Sequence, residues 1–349
     1  MKIKFLATAC VSGTLALNAA AWDYEGHQAV NALALASLPA NFPVALTPET
    51  RTRIAFLAGE ADRWRNETSL KAGTGLALGQ ASGPDHYLDL EDIYLYGLTP
   101  ETLPPLRYDF VADIVKARAA HPEKYPAIDP AKDSGHTREL SGFLPWAITE
   151  NYEKLQSGFA TLAALEKHGG TPGEISNARQ NIVYVMGVMG HFVGDASQPL
   201  HVTKHFNGWV GDNPNNYNSG HTIHAWIDGG FLRRTGGIDV EKMSAKIFPA
   251  EIIPAASGPN GIFQASVNFV VANNQLVEAL YKLDKAGKLS DQGNAGAEGR
   301  AFLEAQLLKS GRLLGKLWLT AWLTAPEDTF LQRELKQRAA AEKAGAESK

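Results

Sequence analysis

The chain has 349 residues, 44% of them hydrophobic and 20% charged, with a formal net charge of −4. This balance excludes the low-complexity classes and provides enough length for one large domain or two modest ones. A chain this acidic should repel polyphosphates and anionic lipids unless something local, such as bound metal cations, reverses the field.

In chain order, residues 1–21 read as a secretory leader. "MKIK" is a short basic start, "FLATACVSGTLAL" is apolar, and Ala19-Ala20-Ala21 fits the small-x-small pattern cut by signal peptidase. The apolar run is shorter than the roughly 20 residues that a membrane span requires. Cleavage after Ala21 predicts a secreted or periplasmic protein that begins at Trp22. Cys10, the only cysteine, leaves with the leader, so the mature chain has no disulfide and must rely on a sizeable core. Loss of Lys2 and Lys4 takes the charge from −4 to −6.

From Trp22 onward the chain has helical periodicity almost throughout. "HQAVNALALASL" has helical apolar spacing, and "TPETRTRIAFLAGEADRWR" opens with Thr47 as N-cap and Pro48 at the first helical position. Further helices are predicted in "FLPWAITENYEKLQSGFATLAALEKHG", "ISNARQNIVYVMGVMGHFVGD", "FQASVNFVVANNQLVEALYKLDKAG" and "FLEAQLLKSGRLLGKLWLTAWLTA". Alternating strands and hairpin dipeptides are nearly absent. The expectation is an all-α fold with one domain over residues 22–325. Two segments rich in Gly, Asn and Pro read as irregular: "KAGTGLALGQASGPDHYLDLEDIYLYG" and "KHFNGWVGDNPNNYNSGH". Residues 326–349 read as a solvated helix or frayed tail.

Chemistry concentrates around a few histidines. In "GHFVGDASQPLH", His191 and Asp195 lie at i and i+4 on one helical face, and His201 comes just past Pro199, which should end that helix. "IHAWID" repeats the spacing with His224 and Asp228. One such pair alone reads as an ordinary hydrogen bond on a helix surface. The first pair, however, sits in the apolar "VYVMGVMGHFVGD", where an unpartnered Asp would be costly to bury, and a metal ion is an economical partner. Neutral nitrogen mixed with carboxylate oxygen suits zinc best among common metals. Asp62, with Arg65 a turn later, and His86, with Tyr87 and Asp89 after it, are further candidates. Each in isolation would be a surface or loop residue.

Taken together, these residues resemble the three-zinc family that unites single-strand-specific nucleases of the S-one/P-one type with bacterial phospholipases C that hydrolyse phosphatidylcholine. The match is Trp22, His27, Asp62, His86, His191, Asp195, His201, His224 and Asp228, spanning positions 22 to 228, with "GDASQPLH" its most specific part. Beyond position 230 only a compatible helical pattern is expected. The resemblance implies three Zn²⁺. The first would be held by the free amine and carbonyl of Trp22 with His27 and Asp195. The second would take Asp62, His86 and His191, with Asp195 bridging the two, and the third would take His201, His224 and Asp228. It further implies hydrolysis of phosphate esters by a zinc-activated water, with Asp62, Arg65 and Asp195 in the catalytic machinery. Tyr87 and Asp89 would hold a base. Arg65, three after Asp62, and Asp228, where the phospholipases use Glu, match the nuclease branch. The expected substrate is therefore single-stranded DNA or RNA, with 3′-nucleotidase activity as an open extension. Phospholipid is the alternative, and no protein partner is implied. From another class, a non-catalytic metal-binding helical protein stays open. The chain departs from the family where Trp226 stands two after His224 rather than three. Residues 90–143 and 206–220 match no pattern, yet both flank expected ligands.

Overall fold

The computed structural model describes residues 22–65, 72–125, 127–133, 135–258 and 260–347; the expected leader lies outside them. Among the described residues every regular element is helical. The α-helices are α1 (Tyr24–Ala36), α2 (Pro48–Leu57), α3 (Glu60–Trp64), α4 (Leu76–Ser82), α5 (Arg107–Ala120), α6 (Leu144–His168) and α7 (Pro172–Ser197). Further along the chain come α8 (Ile223–Ala225), α9 (Phe231–Arg234), α10 (Val240–Ser244), α11 (Gly261–Asn274), α12 (Val277–Lys285), α13 (Ala297–Leu323) and α14 (Thr329–Glu347). None of them is long and apolar enough to cross a membrane.

The centre of the molecule is α7, packed against α6, α1, α2 and α13. Thr171 starts it with a reciprocal capping box to Glu174, and Pro172 fills a position whose N–H has no helical acceptor. Its first half keeps a wet face, but every residue from Met186 to Ser197 is buried. A helix apolar on all sides belongs in a core, surrounded by other helices. Close approach is made possible at Gly190, where a Cβ would overlap the amide oxygen of Asn31 on α1. Asn31, fully buried, uses the space to donate to the carbonyls of Ile54 (2.8 Å) and Gly187 (3.0 Å), tying α1 to α2 and α7.

Two expected helices are each broken in two. The 47–65 stretch stops at Leu57 and resumes at Glu60. The break leaves the Ala58 carbonyl facing His191, whose Nδ1 donates to it at 2.7 Å. The 263–287 stretch breaks at Gln275–Leu276, after Asn273 and Asn274 have turned their side chains to the carbonyls of Ala196 and Val202. Within the unmatched 90–143 segment lies α5, whose apolar stripe is narrow, with only Phe110 and Ile114 buried. The tail is a docked helix over Thr329–Glu347: Leu335 is buried, and Arg338 reaches Glu174 (2.9 Å) and the Gly169 carbonyl (2.9 Å).

Candidate metal centre

The last turns of α7 carry His191 and Asp195, both fully buried. Gln198 then ends the helix, as the adjoining Pro199 requires, and a short 3-10 turn (Pro199–His201) brings His201 back beside them. From α1 comes His27, whose ring stacks on His191 with centroids 3.8 Å apart. Gly194 makes room for it, because a Cβ there would stand 2.7 Å from His27 Nδ1. Asp62 arrives on α3 and His86 on the 3-10 turn Gly83–His86. His224 completes the set with Asp228, which sits in a π-helical turn (Trp226–Gly230) between α8 and α9.

These side chains converge as three groups that could each hold a metal ion. They are His27, His191 and Asp195; Asp62, His86 and His191; and His201, His224 and Asp228. Within each group the ligand atoms lie within 4.8 Å of one another. The two carboxylate oxygens of Asp195 face different ways. Oδ1 stands 3.4 Å from His27 Nε2, while Oδ2 stands 3.0 Å from His86 Nδ1 and 3.4 Å from His191 Nε2. That is the arrangement of a carboxylate joining two adjacent sites. In the third group, His224 Nε2 approaches Asp228 Oδ2 to 2.9 Å.

Three rings are oriented by carbonyls that accept from Nδ1: Ala58 for His191, His86 (2.9 Å) for His201 and Phe206 (3.1 Å) for His224. With Nδ1 committed to a carbonyl, Nε2 is the ring nitrogen left to face a metal. Elsewhere donors and acceptors stay unmatched. His27 Nδ1 and Nε2, His86 Nε2, His201 Nε2 and Asp195 Oδ1 are buried with no hydrogen-bond partner. Each such atom costs about 1–3 kcal/mol unless something meets it. Metal ions would meet them, and the donor set of imidazole and carboxylate fits that chemistry.

The proton affinities of His27 and His86 agree. Burial, helped by the neighbouring His191, pushes His27 down to about 3, so its ring is neutral and its lone pair free. Burial and Arg65 likewise push His86 down to about 4. Burial opposes the ionisation of Asp195, but His191 and His201 hold its carboxyl well below the usual carboxylate range. Asp62 is also held down, by His191, Arg65 and His86 against its burial. Burial works against a charge on His201, yet Asp195 and Asp228 push it up to about 9.

Trp22 is fully buried beside this cluster. Its indole Nε1 donates to the Gly194 carbonyl (2.9 Å) and to Ser197 Oγ (3.2 Å), on the same turn that carries Asp195. The next N–H, of Asp23, donates to the Asp228 carbonyl at 2.8 Å. The main chain at Trp22–Asp23 thus runs beside the residues of the first and third groups.

A cavity of about 420 Å³ opens over the cluster. His86, His201 and His224 reach it, as do Arg65, Tyr87 and Asp89, and its remaining walls come from Thr137, Arg138, Leu140, Leu200, Phe206 and Asn207. Arg65 donates twice to Asp62 Oδ1 (2.9 and 2.7 Å), which fixes its guanidinium between the second group and the cavity. Burial and the adjacent Asp89 raise Tyr87 far above the ordinary phenol range. Asp89 itself is raised well above the usual carboxylate value by burial and by the nearby acids Asp92 and Glu91.

The two unmatched segments supply walls. Residues 137–140 close one side, and Phe206 and Asn207 the other. The 206–220 loop is tied to α12 through Tyr281, whose hydroxyl accepts from the Gly208 N–H, and through Tyr217, which donates to Glu278. The aromatic ring beside His224 is Phe206, edge-on at 5.8 Å. Trp226 turns away from the site, donating to the Leu289 carbonyl and packing on Phe231.

Several supporting residues carried no signal in spacing. Gln198 donates to Asp228 Oδ1 (2.5 Å) while its own carbonyl caps Leu200 N–H (2.7 Å); it was visible only as part of "GDASQPLH". Asn207 accepts from His224 N–H. Asn273 and Gln306, far along the chain, satisfy the carbonyls of Ala196 (3.0 Å) and Ser197 (2.6 Å) at the end of α7. Comparison with protein-family models and with curated proteins returns no match.

Proposed function

We propose that this protein is a zinc-dependent phosphodiesterase acting on single-stranded DNA and RNA, exported and processed to begin at Trp22. The observation that carries this reading is the cavity itself. His86, His201 and His224, members of two of the three abutting His/Asp groups, reach it, and two arginines, a tyrosine and a raised aspartate stand on its walls. When bound, zinc ions would supply Lewis-acid stabilisation of phosphate charge and lower the pKa of water toward about 7. His27 and Asp195 with the terminal residue Trp22, then Asp62, His86 and His191, then His201, His224 and Asp228 would hold them.

The chain's own residues account for the rest. Arg65, anchored on Asp62, offers its remaining N–H groups to a phosphate oxygen in a partly dry site, where a charge-assisted bond is stronger than in water. Tyr87 offers a ring on which an unpaired base can stack, worth roughly 1–3 kcal/mol and indifferent to base identity. Asp89, raised toward protonation, can either donate to or accept from a base edge. Stacking on Tyr87 requires a base that is free of its own stack, which supports single strands over duplexes. The apolar "IYLYGL" stretch does not line the cavity, and the two guanidiniums that do line it suit polyanions. Both points support nucleic acid over phospholipid.

The test uses zinc-loaded protein that starts at Trp22. Release of acid-soluble nucleotides from single-stranded DNA and RNA is expected, and a chelator should abolish it. If metal is bound but no nucleotide is released, the reading fails. Phosphocholine release from phosphatidylcholine vesicles would then assign the site to phospholipid, and inactivity on both would leave a non-catalytic metal protein.

A further inference from the structure

Phe206 is a large apolar side chain that the fold leaves 49% exposed on the wall of the cavity. A single exposed phenylalanine is ordinary on a protein surface. This one stands on a frame that is fixed on both sides of it. The Tyr281 hydroxyl donates to the His205 carbonyl (2.5 Å) and accepts from the Gly208 N–H (3.1 Å). Between them, Asn207 donates to the His221 carbonyl (3.2 Å) and accepts from the His224 N–H (3.3 Å). The Phe206 carbonyl itself accepts from His224 Nδ1 (3.1 Å). The main chain is thus tied down while the ring stays half in the open. Three histidines relate this ring to Tyr87. His86 precedes Tyr87 in the chain, and the His86 carbonyl accepts from His201 Nδ1 (2.9 Å). The His201 and His224 rings have centroids 4.8 Å apart, and His224 meets the Phe206 ring edge-on at 5.8 Å. All five residues line the same cavity. Tyr87 therefore adjoins a histidine of the second group and Phe206 a histidine of the third, and His201 touches both histidines.

We propose that Phe206 is a second base-binding surface, taking the base of the nucleotide next to the one at Tyr87. This inference rests on the nucleic-acid reading above and deepens it: the preferred substrate carries a base on each side of the phosphate that is cut. A phosphodiester held at the metal groups has one nucleoside on each of its ester oxygens. One aromatic side chain adjoins the second group and another the third, so each nucleoside has a ring to meet. Phenylalanine has no hydrogen-bonding group and holds a base by ring contact alone, which makes this surface tolerant of base identity.

The experiment compares the dinucleotide TpT with its two relatives in which one thymine is deleted to leave an abasic tetrahydrofuran sugar. It uses zinc-loaded wild type, Phe206→Ala and Phe206→Tyr. One stacked base corresponds to about tenfold. Phe206→Ala should therefore raise KM for TpT about tenfold with little change in kcat, and Phe206→Tyr should restore it. Of the two abasic dinucleotides, the one that lacks the base on Phe206 should be about tenfold poorer than TpT for wild type. Phe206→Ala should weaken that one by no more than about twofold further, while the other should respond to the variant as TpT does. A readout independent of turnover is the fluorescence of 2-aminopurine placed at that base in a phosphorothioate dinucleotide, which resists hydrolysis. Wild type and Phe206→Tyr should quench it on binding, and Phe206→Ala should not. If Phe206→Ala slows all three dinucleotides alike, or loses zinc, the ring supports His224 rather than a base. If TpT kinetics and quenching are unchanged in Phe206→Ala, the ring meets no base. Either result overturns the proposal. If zinc-loaded wild type neither binds nor cleaves any of the dinucleotides, the nucleic-acid reading itself falls, and this inference with it.

Discussion

Gly190→Ala tests whether the close crossing of α1 and α7 holds the site together. An added methyl would overlap Asn31 Oδ1 and come within 2.7 Å of Asn31 Cγ and 2.9 Å of Leu314 Cδ2. Asn31 is fully buried and hemmed in by α2 and α7, so it can yield only by abandoning its bonds to the Ile54 and Gly187 carbonyls. Two buried hydrogen bonds are worth about 1 kcal/mol each. Forcing an extra carbon into a packed core adds about 2 kcal/mol. Alanine's higher helix propensity returns about 1 kcal/mol. The expected net loss is about 3 kcal/mol. Equilibrium urea unfolding, monitored by tryptophan fluorescence, would measure it as a lower midpoint at unchanged slope. Asn31→Ala alone should cost about 2 kcal/mol, through the two lost bonds. The double variant should cost less than the two singles combined, because removing Asn31 makes room for the methyl. A Gly190→Ala loss below about 1 kcal/mol, or single losses that simply add within about 0.5 kcal/mol, would refute the crossing described here. Because α1 also carries His27 and leads back to Trp22, the same variant should hold less zinc at limiting metal.

Asp195→Asn keeps the shape of the side chain but removes the charge shared by His27, His86 and His191. Its zinc content, measured by elemental mass spectrometry, should fall by two ions per chain with near-complete loss of hydrolysis, and full metal content would refute the bridging role. A protein that starts at Ala21 converts the Trp22 amine into an amide. It should bind its first-site zinc at least tenfold more weakly, since loss even of a group supporting a metal ligand weakens affinity 10–100-fold, and calorimetry showing equal affinity would exclude the amine as a ligand. Acid should loosen the tail helix. Arg338 and the Thr171 cap hold Glu174 down to about 2, so their stabilisation is complete above the ordinary carboxylate range near 4.5 and is lost as pH falls toward 2. Protection factors for hydrogen exchange across 329–347, which divide out the intrinsic pH dependence of amide exchange, should therefore fall over that window at constant overall helicity. Arg338→Gln should make the protection low and insensitive to pH over it.

Much of this protein is written in its local sequence. Helical periodicity, Thr47-Pro48 and Thr171-Pro172 specify where helices start, because capping needs only a hydroxyl and the next few N–H groups. The spacing of His191 with Asp195, and of His224 with Asp228, placed each pair on a common face, which is a property of one helical turn. The chain alone also set the burial of the first pair, through the apolar run around it.

Other features exist only because distant segments meet. The break at Ala58–Gly59 could not be read from "RIAFLAGEADRW", since the group that takes up the Ala58 carbonyl is His191, 133 residues away. Asn31, Asn273 and Gln306 looked like ordinary polar residues in helices; their partners are carbonyls on other helices, and nothing local marks them. The cavity walls at 137–140 and 206–207 were invisible for the same reason: irregular backbone takes its course from what it is bonded to. The sequence by itself determined which side chains could be ligands and which helices would carry them. Only the tertiary structure decided that the His and Asp side chains spread over 27 to 228 converge in three abutting groups, three of whose histidines reach one cavity. The physical reason is range. Caps and periodicity act over a few residues, whereas the position of a ligand is set by how closely whole helices can pack.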